Sequence, residues 1–592
     1  MRVNYASFAF FVFVVFSAAI TAQTQKPIAE RLAAQNALFD EQYETDLRNY
    51  PERATAFGDY RYNDRLNDYS LDAITRRHQT DQEFLIRLKA IPTAGFFDQD
   101  QLSHDLLIRV LEQRIADFDL KEFEMPINTQ VGIHTSLADL PLAVPLDSVK
   151  HYEDYISRLH QIPRALSQAT EVLRAGMKDK LMPVRFLAEK IAPQCQGIID
   201  SDPFLSPTKK YPANISAEDQ RRLTKEITDA VNSDVLPAYK KFADFVRTEY
   251  APQGRTTLSI TSLSDGQRRY ENDIYARTTT RMSAEEIHQL GLREIDRIEA
   301  EMTAIAKKEG FSDLASFRAS LKTNPKYKPT SAEQILDDYR RYIGQMEPKL
   351  PELFTLLPKS PVTVEPIPAF NAGAMTHYVT GTPDGKRPGR VVVATSNFAE
   401  RSLVDNEAIA YHEGVPGHHM QLSVQQQLEG LPKFRLHSLG FNAYVEGWAL
   451  YAEQLGKEVG FYQDPVSDYG RLSSELFRAV RLVVDTGIHA KGWSRDQVVG
   501  FFRKSGAVDE PTIQSETDRY ISWPAQALSY KLGQLKIREL RQRAQKELGP
   551  KFDLRKFHDE MLDGGALPLD MLDARTNQWI EQQKGNKVAA LH

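Results

Sequence analysis

The chain has a single cysteine, Cys195, among 592 residues. An intramolecular disulfide is therefore excluded, and the fold must rest on its apolar core. Nor is there an excess of either charge: 74 Lys and Arg stand against 80 Asp and Glu, a net charge of −6. Without a concentrated basic patch, nucleic acid is not an expected partner. No G-x-S-x-G element occurs, and Cys195 sits in IAPQCQG, which matches no catalytic cysteine signature. Serine and cysteine nucleophiles are thus not favoured. Internal repeats and low-complexity tracts are also missing. Beyond the N-terminus, no run is long and apolar enough to span a bilayer.

The one apolar run, Phe8 to Ile20, follows Arg2 and precedes small residues and the polar Gln23-Thr24-Gln25-Lys26. This pattern predicts a secretory signal peptide over residues 1–22, cleaved after Ala22, and a periplasmic or secreted product. No cysteine lies near the end of the run, which argues against a lipid-anchored mature N-terminus. Stable membrane association after cleavage is not expected.

What the sequence does have is helical periodicity. Ala29–Tyr50, Leu71–Ile91, His104–Phe118, Ser216–Tyr250 and Ser283–Glu309 repeat apolar residues near every 3.6 positions. Pro237 should kink or divide the fourth. Ser283 with Glu286, and Ser331 with Gln334, have the spacing of helix-starting capping boxes. Val362–Ile367 and Gly389–Thr395 are β-rich, and the turn-rich stretch between them predicts a small antiparallel sheet. A soft boundary near Leu263–Arg269 divides an N-terminal helical lobe, 23–265, from a C-terminal lobe, 266–592.

Three of the fourteen histidines fall within His412-Glu413-Gly414-Val415-Pro416-Gly417-His418-His419. Zinc hydrolases use three protein ligands, often imidazoles, and leave a position open for water. A glutamate beside a ligand can take that water's proton. In the usual H-E-x-x-H helix the histidines are four apart; here the fourth position is Pro416. An unbroken helix would carry a residue seven further on by about 10 Å, too far to share one zinc. Gly414, Pro416 and Gly417 provide the means to break it. His412 is the expected first ligand, Glu413 the base, and either His418 or His419 the second ligand. A carboxylate in the apolar helical stretch Tyr444–Glu453 is costly unless paired or metal-bound, so Glu446 is the expected third ligand. Glu453, seven residues further on and roughly on the same face, could be an alternative ligand or stand behind the ligands, or be an ordinary exposed glutamate.

HEGVPGHH followed by YVEGWALYAE, together with RAVRLVVDTGIHAKGWS and WPAQALSYKLG, resembles the domain of unknown function 885 family. The similarity runs through most of the mature chain. The resemblance implies kinship with helical zinc peptidases of the H-E-x-x-H…E type. It implies a mainly α fold, a multi-helix arrangement with a deep groove, the sheet beside the active-site helix, and one zinc ion at the groove's floor. By position, His412, Glu413 and Glu446 match the family's ligand, base and ligand, and Gly417-His418 mimics the Gly-His end of the shorter motif, favouring His418.

Tyr530 and His489 are candidate donors to a developing oxyanion, with Asp485 placed to orient His489. Arg478, Arg481 and Arg519 are candidates for a substrate carboxylate, Arg481 and Arg519 foremost. Gly389–Thr395 could be an edge strand that pairs with an extended peptide. The expected activity is zinc-dependent hydrolysis of short peptides. The alternatives are a zinc hydrolase of esters or non-peptide amides, and an inactive periplasmic binding protein, against which the intact Glu413 argues.

Overall fold

The computed structural model describes residues 26–585 apart from 368–374, 384, 386 and 439; the expected signal peptide lies outside the described residues. Helices follow the apolar periodicity. Ile28–Asn49, Leu71–Lys89 and Asp98–Asp119 occupy the first three predicted stretches. The third starts ahead of His104 because Asp98 and Asp100 put negative charge in its first turn, where the helix dipole favours it. The 216–250 stretch is helical with a π-turn at Val231–Val235, immediately before the α-helix Leu236–Phe245. Pro237 sits in that helix's first turn, directly after the wider turn, so the backbone pairing changes where the proline has no N–H to give.

Helix α1 (Ala284–Lys308) opens with the expected reciprocal capping box of Ser283 and Glu286. Ser331 accepts from the Gln334 N–H, but Gln334 turns its own carbonyl to Thr330. Among the described residues the sheet has three strands, β1 (Val362–Pro366), β2 (His377–Val379) and β3 (Gly389–Val393), in the order β1-β3-β2. It is mixed rather than antiparallel throughout: β1 pairs with β3 in parallel and β2 with β3 in antiparallel register. β3 is therefore central, with both edges already paired, and is not the exposed edge expected of Gly389–Thr395. The edges are β1 and β2.

Helices resume with α2 (Asn406–Glu413), α3 (His418–Gln427), α4 (Asn442–Glu458), α5 (Pro465–His489), α6 (Glu510–Ser522) and α7 (Ser529–Leu548). The main core joins Leu38–Leu111 side chains to others between Ile335 and Ile580, and Tyr411, Trp448 and Tyr451 are fully buried in it. Each such side chain contributes roughly 1.5–3 kcal/mol when fully buried. Among the described residues, no helix is long and apolar enough to cross a membrane.

The closest helix crossing positions the candidate site. Gly447 on α4 faces Gly533 on α7, and a Cβ on Gly533 would overlap the Ala443 carbonyl oxygen. This contact brings Tyr530, one turn before Gly533, towards Glu446, which precedes Gly447. Gly533→Ala gains at most about 1 kcal/mol of helix propensity. It must also push two helix backbones apart, at about 1–3 kcal/mol or more. The expected net result is a lower unfolding midpoint in urea with an unchanged slope; a midpoint at or above that of the unsubstituted protein would refute the close crossing.

Candidate metal centre

Helix α2 ends at Glu413 and α3 begins at His418. The four residues between interrupt the helix in a tight turn, with a cis Val415–Pro416 bond and the His419 N–H closing onto the Gly414 carbonyl at 3.1 Å. Gly417 lies so close to the last turn of α2 that a Cβ there would collide with the carbonyls of Tyr411 and His412. Only glycine fits this approach. From α4, the Trp448 indole N–H donates to the Pro416 carbonyl at 2.9 Å and fixes the turn.

The result is that His418 returns beside His412. Their rings stand perpendicular with centroids 4.8 Å apart. Glu446 Oε2 lies 3.6 Å from His412 Nε2 and 3.4 Å from His418 Nε2. One donor atom from each of the three residues falls within 4.8 Å of the others. Ligands around a tetrahedral zinc with bonds of about 2.0–2.1 Å are separated by about 3.4 Å. The spacing and the two-imidazole, one-carboxylate chemistry therefore fit such an ion.

The surroundings fit as well. His412 Nδ1 pairs with Glu453 Oε1 at 2.8 Å, so Nε2 is the ring atom directed at Glu446 and the one whose proton a cation at the cluster would replace. Ser474 donates to the same Glu453 oxygen at 3.1 Å. Burial pulls the His412 pKa down, but the carboxylates of Glu446, Glu453 and Glu413 win and raise it to about 9. Burial likewise raises Glu446, yet His412 and His418 hold it well below the ordinary carboxylate range. A cluster with these preferences stabilises positive charge at its centre, which is what a cation would supply. Glu453→Ala should weaken zinc binding by about 10–100-fold while leaving the three ligands in place, read from competition with a chelating dye. Unchanged affinity would remove Glu453 from the site.

His419, the alternative second ligand, faces away from the cluster. Its Nε2 pairs with the Ser360 carbonyl at 3.1 Å, and its Nδ1 with the Tyr378 hydroxyl at 3.0 Å. It ties α3 to β2 and to the segment entering β1. Burial keeps it neutral, with a pKa lowered to about 4.

Glu413, buried at the end of α2, adjoins the first of the clustered residues. Tyr530 is partly exposed and lies beside Glu446. Burial pushes its hydroxyl pKa up and the Glu446 charge adds to that, while Arg481, Arg519 and a hydrogen bond to Gln526 oppose. His489 is not brought to the cluster. It is fully buried, its Nδ1 accepts from the Ile260 N–H at 3.2 Å, and its Nε2 pairs with the Tyr520 carbonyl at 2.9 Å. Both ring nitrogens are spent on backbone, so it has no donor left for an oxyanion. Asp485 does not orient it either; that carboxylate takes the Tyr270 hydroxyl at 2.7 Å and the Ala525 N–H.

The arginines also divide. Arg519 closes a two-point bond on Glu516, at 2.9 and 2.8 Å, and its third nitrogen donates to Gln526. It offers no open fork to a substrate, contrary to expectation. Arg481 gives Nη2 to Glu516 at 3.1 Å and Nε to the Tyr520 hydroxyl at 2.9 Å, keeping Nη1 without a partner. Ser474 and Trp448 are the site's unforeseen supports. Nothing local marks Ser474 in the sequence, whereas Trp448 could have been noticed two residues after Glu446.

The family model for a bacterial protein of unknown function, DUF885, matches residues 51–575. No curated protein matches the chain. Among solved structures, a crystal structure described as that of a "putative lipoprotein" from Colwellia psychrerythraea superimposes with a TM-score of 0.88 at 26% identity. The match covers 93% of this chain and 99% of that one. A "putative lipoprotein of unknown function" from Shewanella oneidensis shares the fold, with a TM-score of 0.69 at 19% identity over the same shares of each chain.

Proposed function

We propose a function for this chain, which belongs to the DUF885 family of bacterial proteins of unknown function: an exported zinc-dependent peptidase that hydrolyses short peptides. The observation that carries this reading is the convergence of His412, His418 and Glu446, with Glu413 next in sequence to the first of them. Kinship with the H-E-x-x-H…E peptidases, and a groove above the cluster, are part of the same proposal.

His412, His418 and Glu446 would hold the ion. Zinc bound there would supply a Lewis acid that polarises a carbonyl and acidifies water. Glu413 accepts the proton of the attacking water as oxygen bonds to the carbonyl carbon. As the C–N bond breaks, Glu413 returns that proton to the leaving nitrogen. Tyr530, steadied by Gln526 and Arg481, donates its hydroxyl to the oxygen that gains negative charge. Glu453 keeps His412 in the tautomer that leaves Nε2 unprotonated.

Metal analysis of the purified mature protein, followed by mass spectrometry of a peptide mixture incubated with it, tests the proposal. About one zinc per chain and a defined set of cleaved bonds are expected. A metal-free protein, or a zinc-loaded one that leaves every peptide intact, would overturn it.

A further inference from the structure

Next to the clustered ligands is an imbalance of charge that the proposed chemistry does not use. The guanidinium carbons of Arg478 and Arg481, one turn apart on α5, lie 5.9 and 4.4 Å from the Tyr530 ring centroid. Arg519 approaches the same group from α6. Among the described residues their ion pairs all go to one carboxylate, Glu516, which is paired with Arg519 and Arg481.

Arg478 makes no ion pair among the described residues. Its Nη1 donates to Ser474 Oγ at 2.6 Å and to the Ser474 carbonyl at 3.3 Å, while its Nε is buried without a partner. Arg481 Nη1 is buried and unpartnered too. The two side chains are 7% and 3% exposed as residues. Asp405 contributes to the field at Arg478 but forms no ion pair with it. A buried cation with no carboxylate in contact is costly, and each unsatisfied donor costs about 1–3 kcal/mol more. Planar, forked donors of this kind are best matched by a carboxylate.

We infer that the missing anion is the substrate's C-terminal carboxylate, held by Arg478 with Arg481 Nη1 behind it. The inference rests on the peptidase reading above and narrows it: the substrates are short peptides with a free C-terminus, cleaved close to that end. The placement supports this. Arg478 bonds to Ser474, Ser474 to Glu453, and Glu453 to His412. Arg478 and Arg481 also flank the ring of Tyr530, which lies beside Glu446, so with about 3.3 Å of extended peptide per residue a carboxylate anchored there belongs to a residue close to the cut bond.

The test compares an N-acetylated tripeptide as free acid and as C-terminal amide. Binding is read by calorimetry on zinc-loaded Glu413→Gln protein, and hydrolysis on the unsubstituted enzyme. The acid should bind at least tenfold tighter than the amide and be cleaved near its C-terminus. Arg478→Gln, in the Glu413→Gln background, should abolish the preference, and Arg478→Lys should keep part of it; thermal melts of both confirm folding. Equal affinity for acid and amide, no binding of either, or a preference that survives Arg478→Gln would overturn the inference. A preference for the acid without any cleavage by the unsubstituted enzyme would instead remove the peptidase reading and leave the carboxylate site standing.

Discussion

Glu413→Gln should leave a folded protein that still carries its zinc and has lost hydrolysis by about 10²–10⁴-fold, the usual contribution of a positioned general base. Glutamine has nearly the volume of glutamate, so the buried position at the end of α2 is filled as before. The three clustered donors belong to other residues, so metal content should not change. What disappears is a carboxylate able to take a proton from water and return it to the amine. Rate measurements paired with elemental analysis of the same sample separate the outcomes. Full activity with full metal would remove Glu413 as the base. Loss of metal together with activity would make it a ligand, and the cluster would then have to be redrawn around it.

The helices were legible because an amphipathic stripe and a capping serine are local signals. His412, Glu413 and Glu446 were legible for a related reason: a charged or metal-binding side chain inside an apolar helical pattern needs an explanation. The strand pairing was not. β-rich segments carry the same pattern whether they join in parallel or in antiparallel, and here β2 falls between β1 and β3 in sequence but at the sheet's edge in space, so that β1 and β3 pair directly and in parallel. His489 misled because Asp485 stands four residues before it, a spacing that suggests a pair on a helix. Their actual partners, Ile260, Tyr520, Tyr270 and Ala525, come from other parts of the chain. The arginines show the converse. Glu516 lies three residues before Arg519, and that local pair, rather than a substrate, claims its guanidinium. Arg478 is left as the open cation only once the partners of the other two are known.

The choice between His418 and His419 depends on how far the chain turns after Gly417, and a pair of single substitutions decides it. His418 uses Nε2 toward Glu446 and leaves Nδ1 without a partner among the described residues. Its ring therefore has little to do except at the cluster. Zinc sites are worth roughly 10–16 kcal/mol in all, so the loss of one ligand should cost at least about 3 kcal/mol, more than a hundredfold in affinity. His418→Ala is expected to purify with almost no zinc, to be inactive, and to melt close to the metal-free parent. His419→Ala should show the opposite profile. It removes the ring that bonds the part-buried Ser360 carbonyl and Tyr378 hydroxyl and leaves a cavity where a buried imidazole stood, at about 1–3 kcal/mol in all. It should melt at lower temperature yet retain about one zinc per chain. The reverse pattern would require α3 to be turned by one residue, about 100° about its axis, with His419 at the cluster and His418 against the sheet. That rotation would carry the rest of α3 with it, so the metal content of these two proteins tests the geometry of the whole Gly-Pro-Gly turn.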